Sequence, residues 1–271
     1  MDKDTRSIAA FVETVWSHYH THGRHELPWR RPELDGSYDP YNILVSELML
    51  QQTQVARVVV KYQMFLRRFP TIQVLAGSEL GDVLRVWQGL GYNRRAKYLW
   101  HAARIVVDRG SFPNSAAELM QLPGVGVNTA GAILAYAYNQ ADVFVETNIR
   151  TVYIHHFTRD GEIVSDDFIR DCLGQTLDHE HPREFYWALM DYGAYLKTQV
   201  RNLGQSKHYT KQSAFHGSKR QIRGQVLREL SMKPLSAGQL TARIADERLF
   251  RVIEDLETEG LIRKAGDRYR L

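Results

Sequence analysis

The chain has 271 residues, 44% of them apolar and 11% aromatic, enough to bury one large core or two smaller ones and far too apolar for a disordered protein. No window approaches the roughly 18 to 20 uninterrupted apolar residues of a membrane span, and the opening MDKDTRS lacks the basic-then-apolar layout of a secretory signal, so a soluble, cytoplasmic protein is expected. The net charge is only +4, yet six basic residues and no acid lie between Lys197 and Arg220, a local block that suits a polyanionic partner.

In chain order, Ile8, Phe11, Val12, Val15, Trp16 and Tyr19 follow the three–four spacing of one buried helix face. Similar periodicity recurs over 41–69, 80–107, 116–121, 129–138 and from 148 onward, with Gly and Pro at the breaks. No alternating pattern precedes residue 260, so the fold is predicted to be mainly α. The stretch 193–219 loses the apolar rhythm and gains Lys, Gln, Ser, Gly and His; it reads as a linker or irregular extension, with a domain boundary near Ser218. Beyond it come helices over 222–230, from a Ser236 cap to Ile244, and over 246–259, then a hairpin in LIRKAGDRYRL. That is the order of a winged-helix-like α+β domain; a helical dimerisation or capping module is the alternative.

The segment LPGVG, residues 122–126, stands between two helical stretches and is followed by NTAGAILAYAY, a helix-hairpin-helix signature. Gly124 and Gly126 are expected to let the main chain approach a ligand, and the amides there, with the next helix start, form an anion site for one DNA phosphate.

With that hairpin, LPW at 27–29, SELMLQQTQV at 46–55, WQGLGY at 87–92, LPGVGVNTAGAIL from 122 and MDYGA from 190, the sequence resembles the helix-hairpin-helix (HhH-GPD) DNA glycosylase superfamily, most of all its MutY-type adenine glycosylases, over residues 8–200. The resemblance implies a two-lobed helical body that extrudes one base from duplex DNA, because a stacked base shields its glycosidic bond. It also implies roles. Gln51 and Gln52 probe the vacated stack and the opposite base, and Tyr92 wedges between neighbouring bases. Trp29, Arg30 and Asp191 match pocket-lining positions, and Gly124, Gly126 and Thr129 belong to the DNA-binding hairpin motif.

Cleaving an N-glycosidic bond to an unmodified purine needs a proton on the departing base and negative charge near the sugar, where cationic character develops. Glu47 matches the family's proton donor, and its neighbours Leu44, Leu48 and Leu50 offer an apolar setting that favours a protonated carboxyl. Glu146, in VFVETNIRTV, stands where the family carries an aspartate that stabilises or captures the sugar cation; the extra methylene is a departure that the backbone must absorb or that alters activity. Asn148 is expected to hold that carboxylate through its amide. Asn128 replaces the lysine nucleophile of bifunctional relatives, so base excision without efficient strand cleavage is expected, with Asn128 as a polar partner in the pocket.

Two further departures concern cofactor and partner. The relatives' MDxGA is followed by four cysteines that hold a [4Fe–4S] cluster, whereas this chain has one cysteine, Cys172, so no cofactor is expected. No metal is expected either: His18, His20, His22 and His25 lack a completing carboxylate or thiolate. Three regions are predicted: a glycosylase domain over 1–200, a basic linker over 201–218 in place of the cluster loop, and the winged-helix-like domain over 219–271. The expected activity is monofunctional excision of a mismatched base, adenine opposite G or 8-oxoguanine, by a monomer on double-stranded DNA, nucleoid-associated if prokaryotic. A thymine or uracil mismatch glycosylase, a non-catalytic DNA-binding protein, and a protein partner for 219–271 are the alternatives.

Overall fold

A computed structural model describes residues 3–159, 161–200, 202–208 and 214–271. Its helices run in the order α1 (Lys3–His22), α2 (Pro40–Leu50), α3 (Val55–Arg68), α4 (Ile72–Ala76), α5 (Leu80–Trp87), α6 (Arg94–Arg109), α7 (Ala116–Leu119), α8 (Val127–Tyr138), α9 (Thr147–Phe157), α10 (Asp166–Thr176) and α11 (Pro182–Gln199). The C-terminal stretch adds α12 (Lys219–Met232), β1 (Leu235–Ser236), α13 (Ala237–Thr241), α14 (Leu249–Thr258), β2 (Arg263–Ala265) and β3 (Arg268–Arg270). None of the described helices is long and apolar enough to cross a membrane.

The chain divides into two compact units: Met1–Ile43, Asn114–Met120 and Val125–Lys211 form the first, and Leu44–Pro113, Gln121–Gly124 and Gln212–Leu271 the second. In the first, Phe11, Val15 and Tyr19 recur every fourth residue and form the buried face of α1, which packs on α10 and α11. Pro182, at the first position of α11, costs no helical hydrogen bond, and Phe185, Leu189 and Leu196 form that helix's buried side. α11 meets α9 so closely that a Cβ on Gly193 would clash with the Asn148 carbonyl oxygen. This is why a glycine stands in a helix interior, where it ordinarily costs about 1 kcal/mol.

In the second unit, α4 and α5 pack on α6, and α3 packs on α5, around Tyr62, Phe65, Leu84, Trp87, Leu99 and Val106. Residues 219–271 join this same unit. Ser218 caps α12 by accepting from the Gln221 amide, and α12 lies against both α5 and α14. Ser236 and Gln239 close a capping box on α13. The sheet order is β1-β3-β2, antiparallel, with Leu235 opposite Tyr269. β1 precedes residue 260, where no strand was expected: two residues carry no readable alternation, and only pairing with β3 makes them a strand.

Part of the expected linker, Arg201 and residues 209–213, lies outside the described residues. Its first described stretch is packed, with Asn202 donating to the Thr151 carbonyl, and Gln205 and Lys207 exchanging backbone bonds with Val164.

Candidate active site and nucleic-acid surface

In the second unit, Gln51 and Gln52 follow the last turn of α2, and Tyr92 ends the turn after α5. Gln52 and Tyr92 both adopt left-handed backbone, with φ of 56° and 45°. The other described non-glycine residue with positive φ is Asn139, at the C-cap of α8, where asparagine is at home. For glutamine and tyrosine the conformation costs on the order of 1–3 kcal/mol each and persists only where the surroundings over-determine it.

The over-determining group is Arg95, 5% exposed in the first turn of α6. Its guanidinium donates to the carbonyls of Leu48 (2.7 Å), Met49 (3.0 Å) and Gln51 at the end of α2. It also donates to the Leu90 (3.2 Å) and Gly91 (3.1 Å) carbonyls and to Thr53 Oγ1 (3.0 Å). One buried cation thus ties the Gln51–Gln52 turn to the Gly89–Tyr92 turn, supported by the negative end of the α2 dipole. Burial pushes the guanidinium down to about 10, which leaves it charged at neutral pH. Sequence reasoning did not single out Arg95. The signal was its spacing, because it falls on the buried stripe of Ala96, Leu99, Ala102, Ala103 and Val106.

Gln51 Nε2 also reaches the Gly124 carbonyl at 3.4 Å. Gly124 has φ of 80°, and a Cβ there would come within 2.9 Å of Tyr98, so glycine is required on two counts. Gly126 differs from expectation. Its backbone is extended, a Cβ would meet nothing, and it serves as a side-chain-free N-cap of α8. Glu47 sits one turn before Gln51 on α2, half-buried between the fully buried Leu44 and Leu48.

The first unit holds the other carboxylate. Glu146 occupies the N-cap of α9, yet its side chain makes no capping hydrogen bond. Burial pushes its carboxyl above the usual range, opposed by the charges of Arg150 and Lys197. Arg150 is itself held by a bidentate pair with Asp166, at 2.7 and 2.6 Å.

The two asparagines do not take the places foreseen for them. Asn128 pairs its amide with the Val145 peptide, donating to the carbonyl (3.0 Å) and accepting from the N–H (3.3 Å); it holds the backbone leading into Glu146. Asn148 donates to the Met190 carbonyl (3.1 Å) and accepts from Lys197 Nζ (2.5 Å), so its amide is spent on α11 instead of on the carboxylate.

The three residues expected to line the pocket, Trp29, Arg30 and Asp191, are buried. Asp191, 3% exposed, accepts from Arg30 at 2.7 and 2.8 Å and from Arg24 through both backbone and side chain at 2.7 Å. These cations hold its carboxyl below the ordinary range even though its burial acts the other way, and Arg24 went unnoticed in the sequence. Trp29 and Arg30 are each 7% exposed, and Thr129 is 8% exposed on α8, so none offers much surface to a duplex.

Among the described residues no group of three or more His, Cys, Asp or Glu side chains is placed to hold a metal ion. A [4Fe–4S] cluster needs a set of thiolates, and Cys172, half-buried on α10, is the chain's one cysteine; the residues present do not fit that group.

Comparison with known proteins places this geometry. The family model for the HhH-GPD superfamily base excision DNA repair protein matches residues 45–171. Adenine DNA glycosylase from Mycolicibacterium smegmatis is 32% identical over 92% of this chain and 92% of its own length. Those from Buchnera aphidicola (subsp. Baizongia pistaciae) and Homo sapiens are each 38% identical, over 68% and 74% of this chain; the chain spans 52% and 38% of their lengths. Among solved structures, a thermostable thymine-DNA glycosylase superposes with a TM-score of 0.61 at 23% identity, covering 71% of this chain and 88% of that one. A trapped endonuclease III–DNA covalent intermediate gives 0.59 at 20%, covering 72% and 88%; both likenesses show the fold.

Proposed function

The chain belongs to the HhH-GPD superfamily of base excision DNA repair proteins, among the adenine DNA glycosylases, and on that premise we propose that it removes adenine mispaired with G or 8-oxoguanine by hydrolysing the N-glycosidic bond. The observation that carries the reading is the pairing of strain with position: Gln52 and Tyr92, two of the three residues the family would place at an emptied stack, are held in left-handed backbone, which among the described non-glycine residues is otherwise found at Asn139. A wedge fixed in advance loses little freedom on entering DNA, so more of the binding energy goes into extruding the base.

In the proposed reaction the amides at the start of α8 take one phosphate and set the register of the duplex. Glu47 gives a proton to the departing adenine ring, the C1′–N9 bond breaks, and Glu146 as carboxylate opposes the positive charge on the sugar. Water adds to C1′ and gives up a proton that restores the Glu47 carboxyl, leaving free adenine and an abasic site. With Asn128 where a lysine nucleophile would stand, no Schiff base forms there, and strand cleavage needs a separate step.

The test is a panel of duplexes with A opposite G, A opposite 8-oxoguanine, T opposite G and U opposite G, treated with alkali after incubation. Alkali-labile product from the adenine duplexes alone is expected, and Glu47→Gln should lower single-turnover excision by about 10²–10⁴ while duplex affinity persists. Product from T or U but not A reassigns the base; no product from any duplex refutes the enzyme.

A further inference from the structure

The winged-helix-like module is built onto the loop that carries Tyr92. Arg220, in the first turn of α12, donates from Nη1 to the Tyr92 hydroxyl at 2.6 Å, and its guanidinium lies 5.4 Å from the ring centroid. Arg95 Cζ lies 5.5 Å from the same centroid, and its Nε contacts the Tyr92 carbonyl at 3.4 Å. A second attachment follows at once in sequence. Glu259, at the C-cap of α14, accepts from Arg94 (2.8 Å) and Arg223, and its backbone carbonyl accepts from Lys97 Nζ (2.5 Å). The module therefore grips the segment 92–97 at both ends, and Tyr92, 38% exposed, has its ring near two guanidinium groups.

The module's exposed charge is mixed: α14, the helix before the hairpin, exposes Glu254 and Glu257 beside Arg251, and the hairpin exposes Arg263, Lys264, Arg268 and Arg270. We propose that residues 219–271 act as part of the DNA interface by fixing the wedge, with Arg220 as a positioning residue for Tyr92. The inference rests on the reading above that Tyr92 enters the base stack. A tyrosine whose hydroxyl is tethered enters in one pose, and the tether comes from the C-terminal module instead of from the glycosylase body.

A double-mutant cycle on the full-length protein tests this, with Tyr92→Phe removing only the acceptor hydroxyl and Arg220→Met removing the donor. Each variant should lower single-turnover adenine excision roughly tenfold, and the double variant should be no slower than either, because one contact is lost once. Fluorescence of a 2-aminopurine next to the target adenine should show slower or weaker extrusion in all three. Affinity for undamaged duplex and melting temperature should stay close to wild type, and Arg220→Lys should recover part of the rate. Independent, multiplying losses, or an Arg220→Met enzyme as fast as wild type, overturn the proposal and leave the adenine reading intact. No excision by the wild type overturns that reading, and this inference with it.

Discussion

The two units solve opposite problems. In the first, cations are held by fixed partners: beside Glu146, Lys197 donates to Asn148 and Arg150 pairs with Asp166, and elsewhere in the unit Arg24 and Arg30 pair with Asp191. In the second, a single buried cation without a carboxylate partner among its contacts, Arg95, holds two strained turns at the surface. The first arrangement keeps one carboxylate's charge and place under control; the second keeps two side chains in conformations that they would otherwise leave. Chemistry and DNA distortion are thereby assigned to different kinds of interaction, and substitutions should separate them.

The largest separation is expected at Glu146. Glu146→Gln keeps shape and removes charge, and should lower single-turnover excision by roughly 10²–10³ with base extrusion unchanged, as 2-aminopurine fluorescence would report. A variant that lost extrusion instead would merge the two regions into one. Next comes Arg95→Met, which strips donors from six carbonyls and should cost about 3 kcal/mol of stability by denaturant titration, with Arg95→Lys intermediate. Excision by whatever remains folded should fall chiefly through extrusion, and a full-stability Arg95→Met protein would show that the turns hold themselves.

The smallest effect concerns pH. Glu146 must be ionised to oppose the sugar cation, and burial places its carboxyl above the ordinary range, so excision should decline as pH falls through that raised value. Lys197 favours the carboxylate, so Lys197→Met should move this acidic limb to higher pH by less than about one unit. An unmoved limb would detach Lys197 from the site.

Much of the second unit was legible from residues alone. The hairpin glycine at 124, the Ser236 cap and the strands about Gly266 follow from turn and cap chemistry, which is local. Arg95 was not legible as a clamp, because its seven acceptors come from the end of α2 and from turns far apart in sequence, and only its place on a buried stripe betrays it. In the first unit the motif located Glu146, but neither Asn128 nor Asn148 announced that its amide was committed elsewhere, the first to the Val145 peptide and the second to the Met190 carbonyl and Lys197; such bonds depend on how α8, α9 and α11 meet. Asp191 and Arg30 were given as pocket groups by the resemblance, and that they bury each other as a charge pair depends on a contact between residues 161 positions apart.

Gly193 shows how far such control extends. The backbone of α9 rests against it directly at Asn148, two residues beyond the carboxylate. Any side chain there would tilt or displace the start of α9, and the fault would surface as slow turnover together with a lowered melting temperature. A screen that ranks variants by lost turnover would score this position beside the acids, although it meets no nucleotide; only a thermodynamic readout run in parallel would tell the mount from the instrument.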